Sequence, residues 1–246
     1  MHISTQTHTW EKPSVFNKRM QASYNPDIAI QYRQNDKRDI QTPASKQVIS
    51  TLSKICKHYT NKTYVGDIGC GSGRFFHALS HVNKLIGLDI SPDMLSVAAH
   101  PVNEAQMDVE QIKLIQGDCF TIRLPTARFD IIYSVGVFGN PAPLNVGIIN
   151  KLYSLLAPGG TLFFTIADMT DPKYKQLFQK SPIRKCLEFC YPIIPPIVKN
   201  RLRARWQHYF LKPAQLNQLM TESDFDHFNS WKMVNRFYAC KAIKGY

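Results

Sequence analysis

Long apolar runs are missing from this sequence: nowhere do about 20 apolar residues follow one another, the length a membrane-spanning helix needs. Met1 to Ser14 are polar, so no secretory signal is expected and a cytoplasmic location is. Cysteine is sparse, six in 246 residues, which excludes a dense disulfide framework. Cys70, Cys119 and Cys240 fall in apolar or motif stretches, where buried free thiols are expected. Cys186 and Cys190 are four apart but have no second Cys or His pair at ligand spacing, so helix packing accounts for them and no metal is expected. Acidic residues are also few, 18 against 30 basic ones, a net charge of +12.

Hydrophobic residues make up 44% of the chain, enough for a packed core of one generous α/β domain. The excess charge is local. From Met169 to Lys212 ten basic residues face only Asp171 and Glu188, a regional excess of +8. Such a stretch attracts anionic small molecules, nucleic acid or acidic membranes, and a solvated helix face is the plain alternative.

Residues 1–41 read as a polar arm that becomes a short helix and serves as a lid, with Tyr24, Ile28, Ile30 and Tyr32 as contact points. Thr42-Pro43 is an N-cap and first helical position, and Val48, Leu52, Ile55 and Tyr59 follow on one helical stripe. From Tyr64 strand-like runs alternate with helical ones. The strands are expected at Tyr64–Ile68, Leu85–Asp89, Ile112–Gln116, Phe129–Tyr133 and Thr161–Ile166. Helices are expected at Arg74–Val82, Pro92–Ala99, Val146–Leu156 and Ala214–Thr221. Phe228–Val234 and Arg236–Ile243 read as a closing antiparallel hairpin. The alternation predicts an α/β fold with a mostly parallel, Rossmann-like sheet and helices on both faces. Residues 42–167 and 210–246 form the expected core, and the basic insertion 168–209 its cover.

The strongest local signal is Val65-Gly66-Asp67-Ile68-Gly69-Cys70-Gly71-Ser72-Gly73, a buried strand running into alternating glycines and an expected helix near Arg74. Glycines there let the backbone turn sharply and lie against a ligand. Asp89 ends the next strand, where a carboxylate can take both hydroxyls of a ribose. A dinucleotide fingerprint would need glycine at position 74, where this chain has arginine. Asp67, two residues before the first glycine of the alternating set, suits a cationic ligand better than a phosphate. S-adenosylmethionine, with an ammonium group and no phosphate, fits best.

The segment resembles motif I of class I S-adenosylmethionine-dependent methyltransferases, and later segments match in order. Gly117-Asp118-Cys119-Phe120 resembles the adenine-side Gly-Asp pair, and Phe129 to Ser134 the fourth strand. Leu156-Ala157-Pro158-Gly159-Gly160 resembles the turn before the fifth strand, and Phe210 to Phe225 the last helix. The resemblance covers about Thr42–Ala167 and Tyr209–Lys244, and implies a seven-stranded sheet with an antiparallel C-terminal hairpin. It also implies S-adenosylmethionine as cofactor, held by Asp67, Gly69, Cys70, Gly71, Gly73, Asp89, Ile90, Asp118, Cys119 and Ser134. Tyr24 and Tyr32 resemble lid tyrosines of the family. Asp130 is expected to brace the sheet.

Acceptors should enter at the carboxyl ends of the strands. Tyr133, Ser134, Phe138 and Asn140 follow the fourth strand and are expected at that mouth. His208, Tyr209 and Tyr133 are the candidate catalytic residues, with His208 as base and a packing histidine as its alternative. No Asn-Pro-Pro-Tyr, Pro-Cys or three-cysteine cluster occupies the places that amino-group, cytosine or radical methylation would use. The reading is therefore an O- or N-methyltransferase acting on a small molecule, anionic or apolar. Two alternatives stay open: an RNA-directed methyltransferase using the basic insertion, and a cofactor-binding regulator without turnover. Oligomeric state is not legible.

Overall fold

The computed structural model describes residues 13–139, 141–168, 211–234 and 237–246, with side chains from residue 16 onward. Residues 169–210 of the basic stretch, with His208 and Tyr209, and Asn140 lie outside the described residues.

Helices in this chain start by one recurring device. Asn25, Thr42 and Ser91 each accept a backbone N–H three residues on, and a proline follows each cap. A side-chain oxygen satisfies an orphan amide while proline supplies a ready helical φ. The helices so launched are α2 (Pro26–Asp39), α3 (Pro43–Cys56) and α4 (Pro92–Ala98), preceded by α1 (Pro13–Ser23). Two helices, from Pro13 onward, therefore stand where an arm becoming one short helix was expected. Phe16 and Met20 on α1 and Ala29 on α2 are buried, which gives the otherwise polar segment a face to dock.

The strands are β1 (Thr63–Ile68), β2 (Val82–Asp89), β3 (Val109–Gln116), β4 (Phe129–Ser134), β5 (Leu156–Ala167), β6 (His227–Lys232) and β7 (Phe237–Ile243). Two further helices are α5 (Val146–Leu155) and α6 (Pro213–Thr221). The sheet order is β3-β2-β1-β4-β5-β7-β6. β1 to β5 pair in parallel, while β7 pairs antiparallel with both β5 and β6. This is the Rossmann-like seven-stranded architecture the motif order implied.

The expected helix Arg74–Val82 is corrected. Only a 3₁₀ turn forms there, Phe76–Ala78. β2 begins at Val82, ahead of its apolar run, and takes the last residue of the expected helix. Arg74 is also drawn aside to Asp36, its Nε donating at 2.7 Å.

Alternation along each strand divides the core. On one face Val65, Ile131, Tyr133 and Phe163 pack against Leu52 and Ile55 of α3. On the other, Ile68, Ile132 and Phe164 meet Leu152 of α5, Leu216 of α6 and Phe16 of α1. The amino end of the sheet is tied by side chains. Asp130 accepts the Tyr64 amide at 2.7 Å, in the bracing role expected of it. The Tyr59 hydroxyl donates to the Asp130 carbonyl at 2.8 Å and lies 3.0 Å from Thr161 Oγ1.

Candidate active site

β1 leads outward to β2 and β3, and the chain then returns to the other side of β1 as β4. The sheet thus has its switch point between β1 and β4, where open α/β sheets leave a crevice. A hollow of about 990 Å3, counted to its open mouth, lies there at the carboxyl ends of β1 to β4 under α1 and α2.

The glycine loop forms its floor. Gly69 has φ +75°, and a Cβ there would stand 2.3 Å from Val137 Cγ2. Only glycine takes that conformation against that neighbour. Gly71, at φ +55°, donates its amide to Asp89 Oδ2 at 2.8 Å, and the Ser91 amide reaches Asp89 Oδ1 at 2.9 Å. Each carboxylate oxygen keeps a second lone pair for a ligand. Burial raises the Asp89 pKa, and the Ser91 and Gly71 amides oppose that rise. Asp118 closes the far side and accepts the Phe120 amide at 2.9 Å. From α5, Lys151 donates to the Cys119 and Ile122 carbonyls at 2.9 and 2.7 Å, fixing that loop from behind.

Asp67 differs from both. It is 3% exposed and lines the hollow, and burial raises its pKa to about 8. No cation faces it among the described residues. Arg74 is the sole cation among the described residues lining the hollow, and Asp36 and Asp39 already engage it at 2.7 and 3.3 Å. Three carboxylates and a committed arginine make a poor seat for a pyrophosphate. A ligand with ribose hydroxyls and a positive charge fits them.

α1 and α2 cover this floor. Phe16, Met20, Tyr24 and Tyr32 line it, with the two tyrosine rings edge to face at 6.1 Å. Burial foremost, then the Tyr32 neighbour, pushes the Tyr24 phenol far above its usual range. The Ser91 hydroxyl donates to the Tyr24 carbonyl at 2.6 Å, and Gln21 to the Ile90 carbonyl at 3.2 Å.

Of the residues singled out from sequence, the fold gathers Tyr24, Tyr32, Asp67, Gly69, Cys70, Gly71, Asp89, Ile90, Asp118 and Cys119 around one hollow. Four lie off its lining. Gly73 turns the chain behind the loop, where a Cβ would meet Phe76 at 2.8 Å. Ser134 is fully buried and donates to the Ile68 carbonyl at 2.7 Å, so its hydroxyl is spent on β1. Tyr133 is fully buried in the core and does not face the acceptor mouth, because strand alternation turns its ring towards α3. Phe138 is likewise fully buried, against Phe164. Sequence reasoning missed Phe16, Met20 and Arg74. The four-residue spacing of Phe16, Met20 and Tyr24 was the signal available for the first two.

A family model described as a methyltransferase domain matches residues 60–222. A demethylmenaquinone methyltransferase of Oceanobacillus iheyensis is 29% identical over 174 residues, 65% of this chain and 68% of its own. One of Lactococcus lactis is 28% identical over 118 residues, 46% of each chain. The matches to the Lactococcus and Listeria relatives thus span about half the length of those proteins. Among solved structures, magnesium protoporphyrin IX methyltransferase of Synechocystis with bound S-adenosylmethionine superposes with a TM-score of 0.61 at 15% identity. It covers 94% of this chain and 97% of that one. Phosphoethanolamine N-methyltransferase 2 of Haemonchus contortus, also with S-adenosylmethionine, gives 0.64 at 13% identity over 94% of this chain and 60% of that one. At such identities these structures speak for the fold. Motif order, sheet topology, the acid-lined crevice and the family model agree: this chain belongs to the class I S-adenosylmethionine-dependent methyltransferases.

Proposed function

We propose that this enzyme methylates an oxygen or nitrogen atom of a small-molecule acceptor with substantial apolar surface. The observation that carries the reading is the mixed lining of the hollow. Asp67, Asp89 and Asp118 supply its carboxylates, whereas Phe16, Phe120, Val137, Pro141 and Ala142 supply an apolar remainder. The carboxylates suit the cofactor's ribose and ammonium, and the apolar remainder suits an apolar acceptor. The demethylmenaquinone methyltransferase relatives give the second reading, transfer to a ring carbon of an apolar quinone, with demethylmenaquinone as the acceptor to try beside O and N acceptors.

In this reading Asp89 holds the ribose hydroxyls, Asp118 with Ile90 and Cys119 borders the adenine, and Asp67 faces the ammonium. Gly69, Cys70 and Gly71 bring the backbone alongside the ligand, while Tyr24 and Tyr32 close over it. Bound S-adenosylmethionine supplies an electrophilic methyl group on a sulfonium that leaves as a neutral thioether. The protein's main task is then alignment and exclusion of water, since alignment alone contributes about 7–11 kcal/mol. A base adds roughly 10²–10⁴-fold. His208, with Tyr209 beside it in sequence, is the proposed source.

Transfer of label from methyl-labelled S-adenosylmethionine to a panel of apolar acceptors, anionic acceptors and RNA tests the reading. Label on an apolar acceptor supports it, and label only on RNA would transfer the role to the basic stretch. Replacing Arg201, Arg203 and Arg205 together by Gln should raise KM for an anionic acceptor and spare cofactor binding. That effect should shrink in salt, because exposed charges are screened beyond about 10 Å at 0.1 M.

A further inference from the structure

Tyr133 is an odd residue to find in a core. β4 lies beside β1 in parallel register, and Tyr133 is the direct partner of Asp67, with Ile131 opposite Val65. Register pairs point to the same face of a sheet, so phenol and carboxyl stand side by side. Both are out of water, Tyr133 at 0% and Asp67 at 3% exposure. Asp67 lines the hollow and Tyr133 does not, so the ring lies behind the carboxyl as seen from the cavity.

The Tyr133 hydroxyl has no hydrogen-bond partner of ordinary geometry among the described residues. An unpartnered buried hydroxyl is costly, and a core position without a polar task would be filled by phenylalanine. The hydroxyl is nonetheless near enough to Asp67 to favour its ionised form, against burial and the neighbouring Asp89 charge. The groups facing this pair are Asp89 at the end of β2, Cys70 in the glycine loop and Cys56 on α3. None is a cation. Burial, then the Asp67 charge, keeps the phenol protonated far above neutral pH, so it remains a donor. The acceptor within its reach is the Asp67 carboxylate.

We infer that Tyr133 is a positioning residue for the cofactor: its buried hydroxyl donates to Asp67 once a ligand's ammonium group draws that carboxyl into its charged form. The inference rests on the reading that Asp67 faces the ammonium. The phenol then acts through the carboxylate and never touches ligand, which explains a polar side chain sealed behind the site. It also couples binding to the loss of one proton from Asp67.

Calorimetric titration of two probes tests this. S-adenosylhomocysteine carries the ammonium, whereas 5′-methylthioadenosine keeps the adenosine and lacks it. Tyr133→Phe should weaken S-adenosylhomocysteine about ten- to a hundredfold near neutral pH, the scale of a hydrogen bond to a charged group. It should leave methylthioadenosine unchanged and move the pH midpoint of S-adenosylhomocysteine binding upward. In the ligand-free protein, the Asp67 carboxyl carbon followed by NMR should titrate at higher pH in the variant. A measurement on the unaltered protein needs no variant to fold: the Tyr133 hydroxyl proton should move downfield when S-adenosylhomocysteine is added. An unmoved proton resonance, a superimposable pH profile, or equal loss of both probes would overturn the role of Tyr133. If the unaltered protein binds methylthioadenosine and gains nothing from the ammonium, the placement of Asp67 is wrong. If it binds neither probe, the cofactor site is wrong, and the inference goes with it.

Discussion

The floor and the roof of the hollow are held by opposite means. On the floor, carboxylates are fixed by backbone amides 2 to 18 residues away: Asp89 by Ser91 and Gly71, Asp118 by Phe120. In the roof, α1 and α2 are held by side chains that reach across the fold. Gln21 meets Ile90, Ser91 meets Tyr24, and Arg74 meets Asp36, at sequence separations of 69, 67 and 38. The floor is thus held by the backbone of the sheet's own loops, while the roof is held by long-range side-chain contacts.

The largest effect should come from breaking the floor. Gly71→Val puts a branched residue at φ +55°, with its Cβ 3.3 Å from Met94 Cε, where the backbone must meet the ligand. Calorimetry should find no S-adenosylhomocysteine binding in a variant whose circular dichroism is unchanged.

Asp67 tests the floor's one unclamped carboxylate. Its pKa rises from 3.8 unfolded to about 8 folded, so across that window the folded state holds a proton that the unfolded chain has released. Ligand-free stability should therefore fall as pH climbs from about 4 to about 8. Asp67→Asn should flatten that fall by on the order of a few kcal/mol, at about 1.4 kcal/mol per pKa unit. Urea melts at several pH values measure this, and a parent whose stability is flat over the window contradicts it.

Breaking the roof should act on stability first. Arg74→Met leaves the fully buried Asp36 with Arg33 as its one cation among the described residues, the Nη1 3.7 Å away. Removing one partner of a buried ion pair costs about 3–5 kcal/mol, and the partial exposure of Arg74 places the loss near about 3 kcal/mol. Protease cleavage within α2 should accelerate while the β-sheet signal persists. Asp89→Ala should weaken S-adenosylhomocysteine by about 1.5–3 kcal/mol without loosening the roof. Smallest is Ser134→Ala. Its hydroxyl serves the Ile68 carbonyl, so the expected change is about 1 kcal/mol of stability and none in cofactor affinity. A matching loss of affinity would return Ser134 to the cofactor site.

The floor was legible in the sequence because its residues are neighbours there: Asp67, Gly69 and Gly71 form one motif, and Asp89 and Asp118 each close a strand run. The sheet and its terminal hairpin were legible for the same reason, from apolar runs at regular spacing. The roof was not. α1 carries Phe16 and Met20 among polar residues, a stripe too thin to signal a helix before its docking surface is known. The anchor of that docking, Arg74 with Asp36, joins residues whose proximity only the folded chain creates. Tyr133 and Ser134 were misplaced for a third reason. Position after a strand suggested the mouth, but pairing register and strand alternation decide where a side chain goes, and neither is written locally.

Tyr59, Asp130 and Thr161 fasten one end of the strands, and the Ser134 hydroxyl ties β4 to the Ile68 carbonyl at the other, which makes the sheet a frame held at both ends. Its consequence lies in time rather than in affinity. Amide exchange should be slow along β1 and β4, from Tyr64 to Ile68 and from Asp130 to Ser134, and faster in α1 and α2. Entry and release should then need no breathing of the sheet. They should be left to helices α1 and α2, in the microsecond-to-millisecond range of domain-scale motions, so that ligand exchange would be set by how fast a roof lifts from a floor that does not move.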